Sequence, residues 1–455
     1  MKIAVVGAGW AGLAAAFEAH LHGHRVTVYE SGHRLGGRAR SVFSPKLNSE
    51  LDNGQHILLA AYTRTLDLMR RLGLDTEKLL YPMPLTIASA DGNFSLRVPE
   101  GIGPLAVPSA LLLARGMSTL DKLRLVASMA ALASKKWSIA PNVDTHCDHH
   151  AGQPAIQGPT VAQWLQHGKQ SQRMVRYFWE PLCLAALNTP IDRACAQLFA
   201  NVLRDSLGAG PEACRVLIPR VDLSTLWPEH LPPEISIARG HTVRQIVHGD
   251  AVHVDQDTFD AVIIATNAPS AGRLLEGLPS VSGADAYIQQ IQAFQSLPIA
   301  TLTLDLTKIW DMPEPMLMLT DSPDRAQFGQ WLFHCNTFLS TPLGTSRVNV
   351  VISHARDLSR WTVRQIVEGV ITQIKDQTSR YAPMPSVRAF ELITEKRATF
   401  AAVPGLQRPK NTTPWKNVFV AGDWTDTDYP AVLEGAVRSG ISAARQLSQG
   451  WSCDN

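Results

Sequence analysis

The sequence predicts an α/β protein. A Rossmann-type nucleotide-binding domain, discontinuous in sequence, takes both ends of the chain, and an α+β substrate domain is inserted between them. Three observations predict this. Residues 3–38, IAVVGAGWAGLAAAFEAHLHGHRVTVYESGHRLGGR, read as strand, glycine turn, Ala-rich helix and second strand. Residues 417–425, NVFVAGDWT, read as a short apolar strand ending at Gly422 and Asp423, with a helix pattern opening beyond Ala431. Between them, residues 300–306, 316–319, 347–353 and 387–393 alternate as strands, and one helix pattern lies at 362–374. Such a mix suits an antiparallel floor rather than a second parallel sheet.

The opening unit carries the most physics. Its first strand, residues 3–6, is continuously apolar and β-branched, as a strand buried on both faces must be. Gly7, Gly9 and Gly12 follow in G-x-G-x-x-G spacing. The first permits the tight turn, the second lets backbone approach a pyrophosphate, and the third lets helix and strand pack closely. An Ala-rich helix pattern follows from Leu13 to about Leu21, with Trp10 and Ala11 in the turn before it, so the helix's free N–H groups and positive dipole end face the phosphates. Glu30 closes the second strand about 20 residues on, where a carboxylate takes ribose hydroxyls and repels a 2′-phosphate. Arg34, Gly36, Gly37 and Arg38 then bring backbone N–H groups and two guanidinium groups toward something anionic. Strand, glycines, helix, second strand and terminal acid in this order point to a dinucleotide.

Length and composition bound the rest. At 455 residues the chain exceeds one average domain. Its net charge of +2, without a basic block, excludes nucleic acid as an expected partner. Six cysteines are scattered with no C-x-x-C, which suits reduced thiols in a cytoplasmic protein. The chain enters a strand at once, leaving no room for a signal peptide, and no run reaches the ~18 apolar residues of a membrane span. His146, Cys147, Asp148, His149 and His150 match no closed zinc spacing, so no metal is expected.

Further along, Gly54 between polar residues marks a turn where backbone nears a ligand, and Gln55 and His56 follow it. Residues 62–72 have amphipathic helical spacing, and 80–98 turn strand-like, where the substrate domain begins. Residues 104–137 carry leucines at helical spacing interleaved with Arg115, Lys122, Arg124, Lys135 and Lys136. Two readings stand: core helices with solvated lysines, or an interfacial helix that admits a lipid-like substrate from a bilayer. Glu180 is the one carboxylate in the apolar and aromatic run 177–190. It either pairs with an arginine or has a raised pKa and can serve as an acid. Residues 261–265 form a buried parallel strand after a hairpin.

Taken together, these segments resemble the amine oxidase and phytoene desaturase flavoprotein superfamily. Within it, LDNGQHILLAAY, FWEPLCLAALNTP, IPRVDLSTL and AGDWTDTDYPAVLEGAVRSG are similar to the hydroxysqualene dehydroxylase family. The resemblance runs from residue 3 to about residue 445; the His-rich stretch at 140–158 departs from it as an insertion. It implies FAD as cofactor, with Arg38 near the diphosphate. Gly54, Gln55 and His56 would lie against the flavin, and the backbone near Val243 against the adenine. Gly422 and Asp423 would meet the ribityl or phosphate groups, and Glu434, Gly435 and Ala436 the ring. It implies domains at 1–80, 220–292 and 396–455 for FAD, and at 81–219 and 293–395 for substrate, with a helical, membrane-contacting part. The implied substrate is a hydrophobic C30 isoprenoid, hydroxysqualene, reduced to squalene in hopanoid biosynthesis by hydride from flavin N5 to an allylic cation. His56, Glu180, Asp423 and Asp426 are candidates for the acid that assists C–O cleavage. The location implied is cytoplasmic or peripheral at the inner face of the cytoplasmic membrane. A carotenoid-type desaturase and a non-catalytic prenyl-binding carrier are the alternatives.

Overall fold

Strands covered on both faces must be largely apolar, and the middle of the central sheet is built of such strands. In the computed structural model, which describes residues 1–101, 103–139, 158–341 and 343–454, five parallel strands lie side by side. Their order is Ser236–Arg239, Arg25–Glu30, Lys2–Val6, Ala261–Ile264 and Val418–Val420. Ile3 stands between Val26 and Ala261, and Ile263 pairs with Phe419, so the two ends of the chain share one sheet. Ile3, Val5, Val28 and Ile263 are completely buried; each such side chain contributes about 1.5–3 kcal/mol.

The helix Trp10–Leu21 lies between this sheet and the last helix, Leu433–Asp454. Every residue from Trp10 to Ala19 is buried, which its alanines permit. The two helices cross closely at Gly440, where a Cβ would stand 2.0 Å from the Ala11 carbonyl oxygen.

A second sheet of five antiparallel strands runs in the order Met316–Met318, Trp331–His334, Arg347–Ile352, Ser296–Leu306 and Val387–Phe400. Alternation divides its faces. Leu302, Leu304, Leu332 and Val350 pack under the helix Val363–Gln377, while Trp331 and Phe333 join the opposite core. The strand Trp331–His334 was not expected from the sequence: it is four residues long, buried throughout, and lacks the alternation that marks a half-exposed strand.

The region 104–137 forms the helices Ala106–Leu113 and Thr119–Ser134, the second opened by a capping box between Ser118 and Asp121. Ala106, Ala110, Leu125 and Leu132 face the core, whereas Leu105, Leu112, Leu113, Leu120 and Leu123 are exposed, Leu113 to 74%. The His-rich run 146–150 lies outside the described residues.

Candidate functional site

The two glycine runs meet at the end of the parallel sheet. The Gly36 N–H donates to the Ala8 carbonyl at 2.9 Å, and Gly9 and Gly36 bridge in parallel. A Cβ on Gly37 would stand 2.8 Å from the Gly9 Cα, so the second run could not approach the first this closely with a side chain at Gly37. Gly12 does not reach the cavity beneath; a Cβ there would be 1.9 Å from the Gly7 carbonyl oxygen, which confines its role to helix–strand packing.

These turns form one end of a cavity of about 660 Å³. Gly7, Gly9, Trp10, Ala11, Gly37 and Arg38 line it. Glu30, also at its wall, accepts the Ala8 N–H at 2.8 Å and the Gly32 N–H at 2.7 Å, which fixes the carboxylate at the strand end. Val243 lines the neighbouring wall with His241 and Thr242.

The C-terminal segment closes over the same space. Gly422 and Asp423 line it, and the Asp423 carboxylate accepts from Arg38 Nη2 at 2.6 Å while Arg38 Nη1 donates to the Ala398 carbonyl at 2.7 Å. Two groups separated by most of the sequence are thus one ion pair. Ala431, Val432, Leu433 and Ala436 bring the N-terminal turn of the last helix to the wall. The positive end of its dipole therefore faces the cavity.

Gly54, Gln55 and His56 lie along the same wall. His56 Nδ1 is 2.9 Å from the Gly54 carbonyl oxygen. Burial, with Arg38 nearby, lowers its pKa against that hydrogen bond, so the ring is neutral, with Nδ1 the donor and Nε2 the acceptor. Behind this turn, burial and the neighbouring Asp222 raise the Asp52 pKa to about 7, against hydrogen bonds from the Leu223 N–H and Ser41.

Other residues expected at the site stand elsewhere. Arg34 is half exposed and paired with Glu50 at 2.6 Å. Glu434 is fully buried and turned away: its carboxylate accepts the N–H groups of Arg64 and Thr65 and pairs with Arg438 at 2.7 Å, capping the helix Thr63–Arg71. Gly435 packs against Pro430 and Tyr429. Asp426 is exposed. Glu180 follows the π-helical turn Val175–Trp179 and makes no ion pair among the described residues. Burial, with Asp321 and Asp192 nearby, raises its pKa, but it does not line the cavity.

The other half of the cavity is apolar. Leu182 and Ala186 come from the helix Glu180–Leu187, Phe199 and Leu203 from the helix Ala196–Asp205. Met316, Trp331 and Phe333 come from the antiparallel sheet. Sequence reasoning did not find the polar groups among them, Tyr62, Asp205 and Tyr429. Tyr62 and Tyr429 sit in the segments LDNGQHILLAAY and AGDWTDTDYPAVLEGAVRSG but were not singled out there, Asp205 sits in neither, and only folding brings the three to one space.

The cradle therefore fits a dinucleotide: glycine backbone where a Cβ would clash, an anchored ribose acid, and an arginine braced by a carboxylate. Comparison with known proteins agrees. The model of the family "Flavin containing amine oxidoreductase" matches residues 10–448. Hydroxysqualene dehydroxylase of Zymomonas mobilis is 29% identical, covering 97% of each chain. That of Rhodopseudomonas palustris is 29% identical over 97% of this chain and 96% of its own. Zeta-carotene desaturase of Synechocystis is 24% identical over 98% and 97%. In fold, cyclohexylamine oxidase from Brevibacterium oxydans superposes with a TM-score of 0.65 at 16% identity, covering 99% of each chain. With a flavin cradle in its fold and a family match across nearly its whole length, the chain belongs to the flavin containing amine oxidoreductase family.

Proposed function

We propose that this protein binds FAD and removes the hydroxyl of hydroxysqualene reductively, giving squalene and water. One observation carries the reading: the nucleotide cradle and an apolar chamber are two halves of a single cavity. Similarity across nearly the full length of the hydroxysqualene dehydroxylases supports the same substrate class.

In this reading residues 1–80, 220–292 and 396–455 hold FAD, and 81–219 and 293–395 hold substrate. Gly7, Gly9, Trp10, Ala11, Gly37 and Arg38 receive the diphosphate, Glu30 the ribose, Val243 the adenine, and Gly422 and Asp423 the ribityl chain. Gly54, Gln55, His56 and Ala436 flank the ring. When bound and reduced, the flavin supplies the hydride. The chain's own residues orient the isoprenoid and exclude water, which would otherwise capture an allylic cation. Of the acid candidates His56 and Asp423 line the cavity; Asp423 is paired with Arg38, and His56 is held neutral, so it accepts or relays a proton rather than storing one.

The exposed leucines of Ala106–Leu113 and Thr119–Ser134, flanked by exposed Arg115, Lys135 and Lys136, supply the membrane-contacting part. No helix among the described residues is long and apolar enough to cross a membrane. An apolar face with a basic rim suits peripheral seating on an anionic bilayer, the expected source of a water-insoluble substrate at the cytoplasmic face.

Anaerobic incubation of the FAD-loaded protein with hydroxysqualene and a reductant, in vesicles containing anionic lipid, should yield squalene. Recovery of unchanged hydroxysqualene with the flavin still reduced would overturn the reading. The similarity to zeta-carotene desaturases supports a second one, in which oxidised flavin desaturates a polyene; product formation from a carotenoid precursor, and none from hydroxysqualene, would favour it.

A further inference from the structure

The helix Ala196–Asp205 gives the cavity Phe199, Val202 and Leu203 and then ends on a carboxylate, Asp205, that lines the same space. Arg204 Nε donates to this carboxylate at 2.6 Å and Nη2 at 2.9 Å, and the Tyr429 hydroxyl donates to it as well. Tyr429 also lines the cavity and is buried. Its position is fixed from behind, because Arg408 donates both to the Tyr429 carbonyl and, at 2.6 Å, to the carbonyl of Asp423. One short loop therefore sets the flavin-facing Asp423 and the chamber-facing Tyr429 together.

A carboxylate in an apolar wall is costly unless its lone pairs are used. An ionised carboxylate offers about four acceptor sites, and the three hydrogen bonds above leave one. Burial works to raise the Asp205 pKa, but the hydrogen bonds from Arg204 and Tyr429 outweigh it and hold the carboxyl below its ordinary range. Asp205 is thus a standing acceptor rather than an acid. Tyr62 lines the same cavity. Burial, with Glu434 and Tyr429 close by, raises its pKa, so it keeps its proton and remains a donor.

We infer that Asp205, braced by Tyr429 and Arg204 and complemented by Tyr62, is the subsite that recognises the hydroxyl of an otherwise apolar substrate. The carboxylate accepts the hydroxyl hydrogen and Tyr62 donates to the hydroxyl oxygen, satisfying both functions of the group. This rests on the reading of the chamber as a site for an apolar alcohol. It has a direct consequence for turnover. A hydrocarbon product leaves the same polar groups unpaired, so a site built to bind the alcohol rejects the product.

The test measures binding by equilibrium dialysis in detergent, with the FAD-loaded protein and two pairs of probes: hydroxysqualene with squalene, and farnesol with farnesene. The wild-type protein should bind the alcohol of each pair at least about tenfold more tightly. Asp205→Leu should abolish that preference, with flavin content unchanged and hydrocarbon affinity at or above the wild-type value. Tyr62→Phe, which removes only a hydroxyl, should reduce the preference to about threefold and serves if Asp205→Leu does not fold. Preference unchanged in these variants, or alcohol and hydrocarbon affinities falling together, overturns the subsite. Preference present in wild type and lost in Asp205→Leu, without conversion of hydroxysqualene, upholds the subsite and sinks the dehydroxylase reading. Full conversion by Asp205→Leu with unaltered substrate affinity does the reverse.

Discussion

The two halves of the cavity are built on different principles. The nucleotide end is made of backbone: Gly9, Gly36 and Gly37 touch through main-chain atoms, and a Cβ on Gly36 or Gly37 would meet backbone at 2.4 or 2.8 Å. The apolar end is made of side chains drawn from two successive helices and from an antiparallel sheet far along the sequence from them. A backbone site depends on a few positions absolutely. A side-chain wall needs only the right volume, and volume-conserving exchanges cost little. Lesions at the two ends should therefore separate flavin binding from substrate binding.

The largest effect is expected where backbone meets backbone. Gly12→Val places a side chain against the Gly7 carbonyl, 1.9 Å from where its Cβ would stand. It should cost more than about 3 kcal/mol and leave a protein without bound flavin; visible absorbance of the purified protein reads this, and a yellow, stable variant would break the contrast. Asp423→Asn should weaken flavin binding by about ten- to a hundredfold, because Arg38 loses its charged partner at 2.6 Å. At the other end Ala186→Phe should leave flavin affinity unchanged and lower the affinity for a C30 isoprenoid by about tenfold. Flavin titration of both variants, with substrate titration of the second, checks the pair; a loss of flavin in Ala186→Phe would mean that the two halves are not independent.

The smallest effect belongs to the turn that joins the halves. In the folded protein Asp52 holds its proton up to a pH of about 7, whereas its ordinary value is 3.8. Its contribution to stability is fully present below that ordinary value and is lost as pH rises through about 7. Asp52→Asn cannot ionise and should not lose it. The variant should match wild type near pH 4 and gain on the order of 1–3 kcal/mol above pH 7. Chemical unfolding at the two pH values measures it, and a gain that is the same at both would show that ionisation is not its cause.

The cradle was legible in the sequence because backbone sites are written in spacing. Gly7, Gly9, Gly37, Glu30 and Arg38 all meet the cavity where the motif places them. Glu434 was misplaced for an instructive reason. It lies next to residues that do line the cavity, but successive residues of a helix point in different directions, and it finds the N-terminus of another helix instead. Glu180 was singled out for its apolar neighbours in sequence; Leu182 and Ala186 of that run do line the chamber, but Glu180 itself does not. The leucines at 105–123 carried two readings because helical spacing shows that a face is apolar and not what covers it; in the fold several remain exposed.

The sequence alone determined the α/β class and the parallel nucleotide unit, since these follow from local pattern and from closely spaced glycines, and its resemblance to known flavoproteins implied the meeting of the two chain ends. Tertiary structure alone decided which side chains share a space: the Arg38–Asp423 pair, the chamber wall, and Asp205 beside Tyr429. Those contacts join residues hundreds of positions apart, and their geometry comes from how helices and sheets pack, which short-range pattern does not encode.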